Sequence, residues 1–311
     1  MSAFAGETVN GMTWGWTGVR GTWGTDAAAA SMRAMLDVGV TWTAIAFAAH
    51  QDHTYTTEVH FEQEPTVSDD EVVWAIREAK SLGLKVVLKP VVNVADGAWR
   101  GHIAFFDWDV PGEPTWTDWF ASYSRFIVHH ARIAEAEGVD MLCIGCEMVQ
   151  SDKRADEWRA LVAAVREVYS GLVTYNCDKY QEDHVTWWSA VDVISSSGYY
   201  RTGDWQVQLD RIEAVVAREG KPFFFMEGGC PSREGSALAP NDWSLPGGPS
   251  EKEQADYYEE MFAACAERPW VQGFMLWDWP ATLYPLEEAA ANTDYCPYGK
   301  QASEVLRRWY V

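Results

Sequence analysis

The amino-acid sequence predicts a single-domain (β/α)8 barrel, the TIM-barrel fold, and three observations support this prediction. Short apolar runs alternate with longer amphipathic segments along the whole chain, and eight such strand-then-helix units fit into the 311 residues. No low-complexity linker divides the sequence. Long loops follow three of the predicted strands, at residues 58–67, 95–115 and 230–249. We therefore expect one α/β domain over residues 1–311 with long βα loops.

The predicted strands are short apolar runs, and they cover residues 12–16, 41–48, 85–93, 141–147, 172–178, 192–200, 222–229 and 271–279. The predicted helices repeat apolar residues with the period of an α-helix, and they cover residues 26–38, 68–82, 115–137, 154–170, 185–190, 204–219, 250–267 and 301–310. Two helices begin with capping boxes, Ser68 with Glu71 and Ser250 with Glu253. A doubly wound open sheet is the alternative, but no G-x-G-x-x-G or P-loop pattern follows the first strand.

The composition excludes several classes of function. The chain has 24 Lys and Arg against 46 Asp and Glu, a net charge of −22, so its surface repels phosphate backbones and anionic membranes. We therefore expect no nucleic-acid partner and no membrane association. The first residues lack the features of a signal peptide and the six cysteines are scattered, so the expected location is the cytoplasm. The oligomeric state is left open.

Two glutamates at the ends of predicted strands are the candidate catalytic residues. Glu147 closes the fourth strand, MLCIGCE, and Glu227 lies near the end of the seventh, PFFFMEGG. Because side chains alternate along a strand, each is expected to share a face with the residues two and four positions before it, and both to point into the barrel mouth. Glycosidases use two such carboxylates, about 5–5.5 Å apart in retaining enzymes and about 6.5–9.5 Å apart in inverting ones. The alternative role for each glutamate is a salt bridge at the barrel rim.

Further candidates lie where a substrate cleft would form above these strands. Trp277 on the eighth strand can stack against a sugar ring, and Tyr199 on the sixth can donate a hydrogen bond to a nucleophilic carboxylate. For Lys89, a role in balancing the charge of acidic neighbours in the barrel mouth is an alternative of equal weight to substrate binding. The full set of candidate substrate-binding residues is Trp16, Lys89, Asn93, Trp99, Arg100, His102, Tyr199 and Trp277. The expected partner is an oligosaccharide or polysaccharide.

Other chemistries lack the patterns that they need. His50, Asp52 and His53 end the second strand, but no H-x-H or H-E-x-x-H motif is present, so we expect neither a metal nor a cofactor. The absence of a G-x-S-x-G motif argues against an acyl hydrolase. Cys146 has the opposite strand parity to Glu147, so we expect it in the core or behind the site, and not as a nucleophile.

Four stretches of the chain resemble a known family. They are WAIREAKSLGLKVVLKP, WFASYSRFIVHHARIAEAEGVDMLCIGCEM, EWRALVAAVREVYSGLVTY and FFFMEGG, and they are similar to the β-mannanases of glycoside hydrolase family 113. The resemblance implies a (β/α)8 retaining hydrolase of clan A that cleaves β-1,4-mannosidic bonds in mannan or manno-oligosaccharides through a glycosyl-enzyme intermediate. It also implies that Glu147 is the acid/base and Glu227 the nucleophile, with Tyr199 and Trp277 at the family's tyrosine and tryptophan positions.

The sequence departs from this family around the expected sugar site. Many members of the clan carry Asn immediately before the acid/base, where this chain has Cys146, and the sixth strand reads SSSGYY without an acidic residue. Two alternatives therefore stay open. One is a retaining β-glycosidase for another sugar, such as a glucosidase, xylosidase or galactosidase, and the other is a non-catalytic carbohydrate-binding barrel.

Overall fold

Eight parallel strands close into a barrel in the order β1 to β8 in the computed structural model, which describes residue 4 and residues 6–310. The strands are β1 (Val9–Trp14), β2 (Trp42–Gln51), β3 (Lys85–Val94), β4 (Met141–Cys146), β5 (Leu172–Cys177), β6 (Val193–Gly198), β7 (Phe223–Gly228) and β8 (Val271–Trp279). The barrel closes where β1 pairs with β8. The predicted (β/α)8 fold is therefore confirmed, and every observed strand overlaps a predicted one.

Helices cover the outside of the barrel. The α-helices of the described residues are α1 (Asp26–Ala34), α2 (Asp69–Ser81), α3 (Trp116–Ala136), α4 (Ala155–Arg166), α5 (Trp205–Glu219), α6 (Glu251–Ala266) and α7 (Gln301–Trp309). The short helix predicted after β5 is a single 3-10 turn, Trp188–Ala190. Each longer helix lies within one or a few residues of its predicted bounds.

The two predicted capping boxes have different outcomes. At the start of α2 the box forms, because Ser68 Oγ accepts from the Glu71 N–H at 3.3 Å and Glu71 Oε2 accepts from the Ser68 N–H at 2.9 Å. At Ser250 the prediction was wrong, since its side chain caps no N–H of α6. Glu253 instead accepts from two backbone N–H groups of the loop after β7, at 3.0 and 2.9 Å. This carboxylate therefore fixes a loop that borders the barrel mouth.

The barrel interior changes character from the N-terminal to the C-terminal ends of the strands. The lower part is apolar and contains Val9, Trp42, Ala44, Val87, Met141, Cys143, Val193, Phe224, Met226 and Met275. The upper part holds buried polar groups, among them Lys89, Asn176, Ser197 and Glu227. Burying polar groups is unfavourable unless they are paired, so their concentration at one end marks where function resides.

None of the helices of the described residues is long and apolar enough to cross a lipid bilayer.

The cysteines of the described residues show how the fold is held together. All six cysteines are buried, and none is paired in a disulfide. Packing and hydrogen bonds therefore hold this part of the chain together without a covalent cross-link.

Candidate active site

A cleft of about 480 Å³ opens at the C-terminal end of the barrel, where the loops after the strands meet. Both candidate glutamates contribute to its wall. The lining residues are Trp16, Val91, Trp99, Arg100, Cys146, Glu147, Asp178, Lys179, Tyr199, Glu227, Asn241, Trp243 and Trp277. The fold thus brings most of the predicted site residues together, although they come from widely separated parts of the chain.

Glu227, near the end of β7, is held on both carboxylate oxygens. Lys89 Nζ and Cys146 Sγ donate to Oε1 at 2.5 and 3.3 Å, and the Tyr199 hydroxyl donates to Oε2 at 2.8 Å. Burial works to raise the pKa of Glu227. The charges of Lys89 and Arg100 and the hydrogen bonds from the lysine and the tyrosine outweigh burial and hold that pKa below its usual value. Glu227 is therefore ionised at neutral pH.

Glu147 follows β4 directly and has a different set of partners. Ser197 Oγ donates to its Oε1 at 2.7 Å, while Arg100 Nη1 and Trp99 Nε1 donate to its Oε2 at 3.0 and 3.4 Å. The backbone of Glu147 is in the left-handed region, with φ 54°. Residues other than glycine, asparagine and aspartate rarely adopt this conformation. The turn directs the carboxylate into the cleft.

A shift in register, and not simple alternation, places Glu147. The pairing of β4 with β5 slips between Cys143 and Cys146. Cys143 lies in the barrel interior, whereas Gly145 faces the helices, where an added Cβ would lie 2.8 Å from Trp158. The prediction that Gly145 shares the face of Glu147 was therefore wrong. The parity argument that turned Cys146 away from Glu147 was also wrong, because Cys146 lines the cleft too and its thiol donates to Glu227.

The seventh strand shows the same kind of irregularity. The pairing of β7 with β8 shifts between Phe223 and Phe225. Both rings pack in the layer between strands and helices, and Phe224 and Met226 fill the barrel interior. The prediction that Glu227 shares a face with Phe223 and Phe225 was wrong. Its side chain nevertheless reaches the cleft, because the register against β6 also shifts next to it.

A hydrogen-bonded chain beneath the cleft joins the two glutamates. Lys89, which is fully buried, donates from Nζ to Glu227 and, at 2.9 Å, to Asn176 Oδ1. Asn176 Nδ2 donates to Ser197 Oγ at 2.9 Å, and this hydroxyl donates to Glu147. Burial works to lower the pKa of Lys89, but the acidic groups around it raise the pKa above its usual value, so the ammonium stays charged. Lys89 lies under the cleft wall and balances a carboxylate there.

Aromatic residues form one side of the cleft. The ring centroid of Trp277 lies 5.2 Å from that of Trp16 and 6.3 Å from that of Trp243. Tyr295 supports Trp243 at 4.6 Å. The buried Nε1 of Trp277 has no hydrogen-bond partner within residues 6–310. Flat apolar rings with an unused N–H donor suit a sugar, which offers C–H faces and hydroxyl oxygens.

The loop after β3 contributes Trp99 and Arg100 to the cleft but not His102. The Arg100 guanidinium donates to Asn93 Oδ1 at 2.8 Å, so Asn93 orients the arginine from behind the wall. His102 is exposed and packs edge-on against Trp99, with ring centroids 5.3 Å apart. The structure therefore places Asn93 and His102, both predicted to contact substrate, outside the cleft lining.

Several residues in and beneath the cleft were missed by reasoning from the sequence. In the sequence, Asn176 and Ser197 resemble ordinary residues of a buried strand. Their role becomes visible only in the structure, through their hydrogen bonds to Lys89 and Glu147. Asp178 and Lys179 follow β5 just as Glu147 follows β4, and this position at a strand end was the available signal. Burial and the charge of Glu147 raise the pKa of Asp178 to about 8, so its carboxyl is largely protonated at neutral pH.

Comparison with known proteins assigns the family. The model of Glycoside Hydrolase Family 113 matches residues 12–300. The chain belongs to glycoside hydrolase family 113. Among the curated proteins, none matches it.

Solved structures extend this family 113 assignment. The chain is 53% identical to a protein described as a GH113 β-1,4-mannanase in a complex, with a TM-score of 0.97 over 98% of this chain and 99% of that one. It is 46% identical to the GH113 β-mannanase AaManA from Alicyclobacillus acidocaldarius in complex with ManMIm, with a TM-score of 0.96 over 99% of both chains. A β-glucuronidase from Ruminococcus gnavus, at 13% identity and a TM-score of 0.65 over 98% of this chain and 50% of that one, shares the fold alone.

As a family 113 member the protein is a glycoside hydrolase, and two carboxylates line its cleft. The one cluster of three potential metal ligands in the described part of the chain lies elsewhere, among residues that do not line the cleft. His50 and His53 do not belong to it.

Proposed function

We propose that this family 113 enzyme hydrolyses β-1,4-mannosidic bonds with retention of the anomeric configuration. The observation that carries the proposal is the pair Glu147 and Glu227 in one cleft, joined by a buried hydrogen-bonded chain. Two solved relatives with nearly full coverage are described as a β-1,4-mannanase and a β-mannanase, which supports the choice of sugar. Retaining glycosidases use a carboxylate nucleophile and a carboxyl acid/base in this way.

In the first step Glu227 attacks the anomeric carbon of the bound mannosyl unit. The bond from that carbon to the leaving oxygen breaks, and Glu147 gives its proton to this oxygen. Glu227 suits the nucleophilic role because Lys89 and Tyr199 keep its carboxylate ionised and fixed. The product of this step is a glycosyl ester of Glu227 with inverted configuration.

In the second step water replaces the enzyme at the same carbon. Glu147, now a carboxylate, removes a proton from the water as its oxygen attacks and the ester bond to Glu227 breaks. Two inversions restore the β configuration, and the proton returns Glu147 to its starting state. Ser197 and Arg100 hold the Glu147 carboxylate for this exchange.

The two sides of the cleft divide the work of binding. Trp277 and Trp16 stack against the sugar that Glu227 attacks, and the free indole N–H of Trp277 donates to one of its oxygens. Asp178 and Lys179 lie on the polar side with Glu147, where their groups bind hydroxyls of the leaving unit. This division predicts that substrates must extend across the catalytic pair.

The test compares manno-, cello- and xylo-oligosaccharides of equal length as substrates, with proton NMR of the first products formed. We expect cleavage of the manno series alone, with the β anomer appearing first. The isosteric variants Glu227→Gln and Glu147→Gln should lose this cleavage, while Glu287→Gln, at an exposed position, should retain it. Cleavage of the cello or xylo series would contradict the proposed sugar specificity. An α anomer appearing first would contradict retention of configuration. Unchanged rates in both Glu227→Gln and Glu147→Gln would contradict the assignment of the active site.

We also propose that the enzyme works in a reducing cytoplasm on manno-oligosaccharides. Its six cysteines are buried and unpaired, which is typical of proteins from reducing compartments. Fractionation of cells that express the protein, followed by immunoblotting, tests this location. Recovery of the protein mainly from the medium would contradict it.

A further inference from the structure

Asp69, His129 and His130 form a cluster on the helical layer, outside the cleft wall. Asp69 is the first residue of α2, and the two histidines are adjacent in α3. His129 Nε2 lies 2.9 Å from each carboxylate oxygen of Asp69. One ligand atom from each of the three residues lies within 4.8 Å of the other two. The cluster therefore brings two imidazoles and one carboxylate to a single point.

His130 distinguishes this cluster from a simple ion pair between two helices. Its side chain is only 2% exposed, and Nδ1 lies 2.9 Å from the carbonyl oxygen of Phe126. Nδ1 therefore carries the proton and donates to that carbonyl, which leaves a lone pair on Nε2. Within residues 6–310 no group donates a hydrogen bond to this Nε2. A metal cation can bind this lone pair.

We propose that Asp69, His129 and His130 bind one zinc ion, a site that the cleft chemistry does not require. Imidazole nitrogen and carboxylate oxygen are ligands that Zn²⁺ prefers, whereas Ca²⁺ and Mg²⁺ prefer oxygen alone. Zinc bonds of about 2.0–2.1 Å place tetrahedral ligands about 3.4 Å apart. The ligand atoms lie within 4.8 Å of one another, so their separations have to close by at most about 1.4 Å, which rotation of the exposed Asp69 and half-buried His129 side chains supplies. Water takes the fourth position.

The surroundings suit such an ion. The hydrogen bond from His130 Nδ1 to a backbone carbonyl is the outer-shell contact that orients most zinc-binding histidines. Phe61 packs against both imidazoles, with its ring centroid 5.3 Å from that of His129 and 5.9 Å from that of His130. The Asp69 and His129 side chains are 55% and 32% exposed, so an ion can enter from solvent. The bound metal would tie the start of α2 to α3.

The experiment titrates zinc chloride into enzyme freed of metal, with a competing chromogenic chelator to report free zinc. We expect one zinc ion per chain and a higher midpoint of thermal unfolding in its presence, because the ion binds only the folded site. His129→Ala should weaken binding at least tenfold and abolish the thermal shift. His184→Ala is the matched control, because this histidine is exposed and the side-chain hydrogen bond that it makes within residues 6–310 is to Gln181.

The second variant, Asp69→Asn, keeps the size of an exposed side chain and removes one ligand charge, so its effect does not depend on the folding of a core variant. It should also weaken zinc binding. Calcium and magnesium chloride should neither compete with zinc nor shift the midpoint. The proposal is overturned if the chain takes up no stoichiometric zinc, or if the uptake survives both His129→Ala and Asp69→Asn. The latter result would place the zinc at another site.

Discussion

Glu227 and Glu147 lie in one cleft, but they are held by different parts of the molecule. The partners of Glu227 come from β3, from β4 and from the end of β6, so the barrel itself fixes both of its oxygens. One oxygen of Glu147 is bound by Ser197 of β6, and the other by Trp99 and Arg100 of a long loop.

The difference matches what the two steps of the proposed mechanism demand. A nucleophile has to stay ionised and immobile, and rigid strands with a buried ammonium achieve both. An acid/base has to exchange a proton twice with groups that enter and leave the cleft, so a contact from a loop suits it. The surroundings of each carboxylate thus distinguish the two proposed roles, which the residue type alone does not.

Removal of each carboxylate in turn is the most direct test of this comparison between Glu227 and Glu147. These variants have the largest expected effects on activity. Glu227→Ala and Glu147→Ala should each lower kcat by about 10⁴-fold or more on oligosaccharides, because each removes a group that acts in the chemical step. Sodium azide should rescue both on an activated aryl mannoside. We expect α-mannosyl azide from Glu227→Ala and β-mannosyl azide from Glu147→Ala, and NMR of the products distinguishes them. The opposite pairing would reverse the assignment.

Removal of the buried ammonium tests whether the barrel keeps Glu227 ionised. Lys89→Met leaves a buried carboxylate without its cation, so the pKa of Glu227 should rise and the acid limb of kcat/KM should move up by about 1–3 pH units. Unfolding should become easier by about 3–5 kcal/mol, since an unpaired buried charge remains. Kinetics over pH and chemical denaturation measure the two effects. Lys252→Met, on the surface, should change neither, and an unmoved acid limb in Lys89→Met would contradict the interpretation.

A single hydrogen bond to the nucleophile should have a smaller effect. Tyr199→Phe removes the donor to Glu227 Oε2, and a hydrogen bond to a charged group contributes about 1.5–3 kcal/mol. We expect kcat/KM to fall about 10–100-fold, with the acid limb again displaced to higher pH. Tyr295→Phe is the control, because its hydroxyl donates to the Pro240 carbonyl and not to a carboxylate. Equal losses in both variants would indicate packing and not charge.

The smallest effect concerns the polar side of the cleft. The pKa of Asp178 is raised to about 8, so between about pH 4 and pH 8 the unfolded chain loses this proton before the folded one does. The group therefore stabilises the fold fully below about pH 4, and this contribution disappears as pH rises through 8. The Asn side chain of Asp178→Asn does not ionise. The midpoint of thermal unfolding of this variant should therefore rise relative to that of the wild type as pH increases from about 4 to 8. A difference that stays constant with pH would contradict the assigned pKa shift.

Strand patterns predicted the barrel and the position of the two glutamates at the cleft, because both depend on local properties. Apolar runs mark strands wherever these pack, and an acidic residue at the end of such a run stands out. The register shifts beside Cys146 and Glu227 could not be predicted in this way, since they arise from the fit between neighbouring strands. Both glutamates were therefore oriented correctly by a parity argument whose details were wrong.

Residues whose role depends on a distant partner were harder to find. Asn176 and Ser197 acquire their role from Lys89 and Glu147, which lie far away in sequence. His102 was predicted to contact substrate because it lies in a loop after a strand. Hydrogen bonds to Glu147 and Asn93 hold Arg100 inward, whereas His102 is left exposed. Proximity in sequence does not reveal such a division.

The left-handed backbone of Glu147 has a consequence for engineering. A non-glycine residue in this conformation costs of order 1–3 kcal/mol, which the rest of the barrel has to offset. Glycine or asparagine would relieve much of this cost. Laboratory evolution that selects for heat resistance alone should therefore replace Glu147 early. The resulting variants should be more stable but inactive. A screen for thermostable variants of this enzyme has to include turnover in every round.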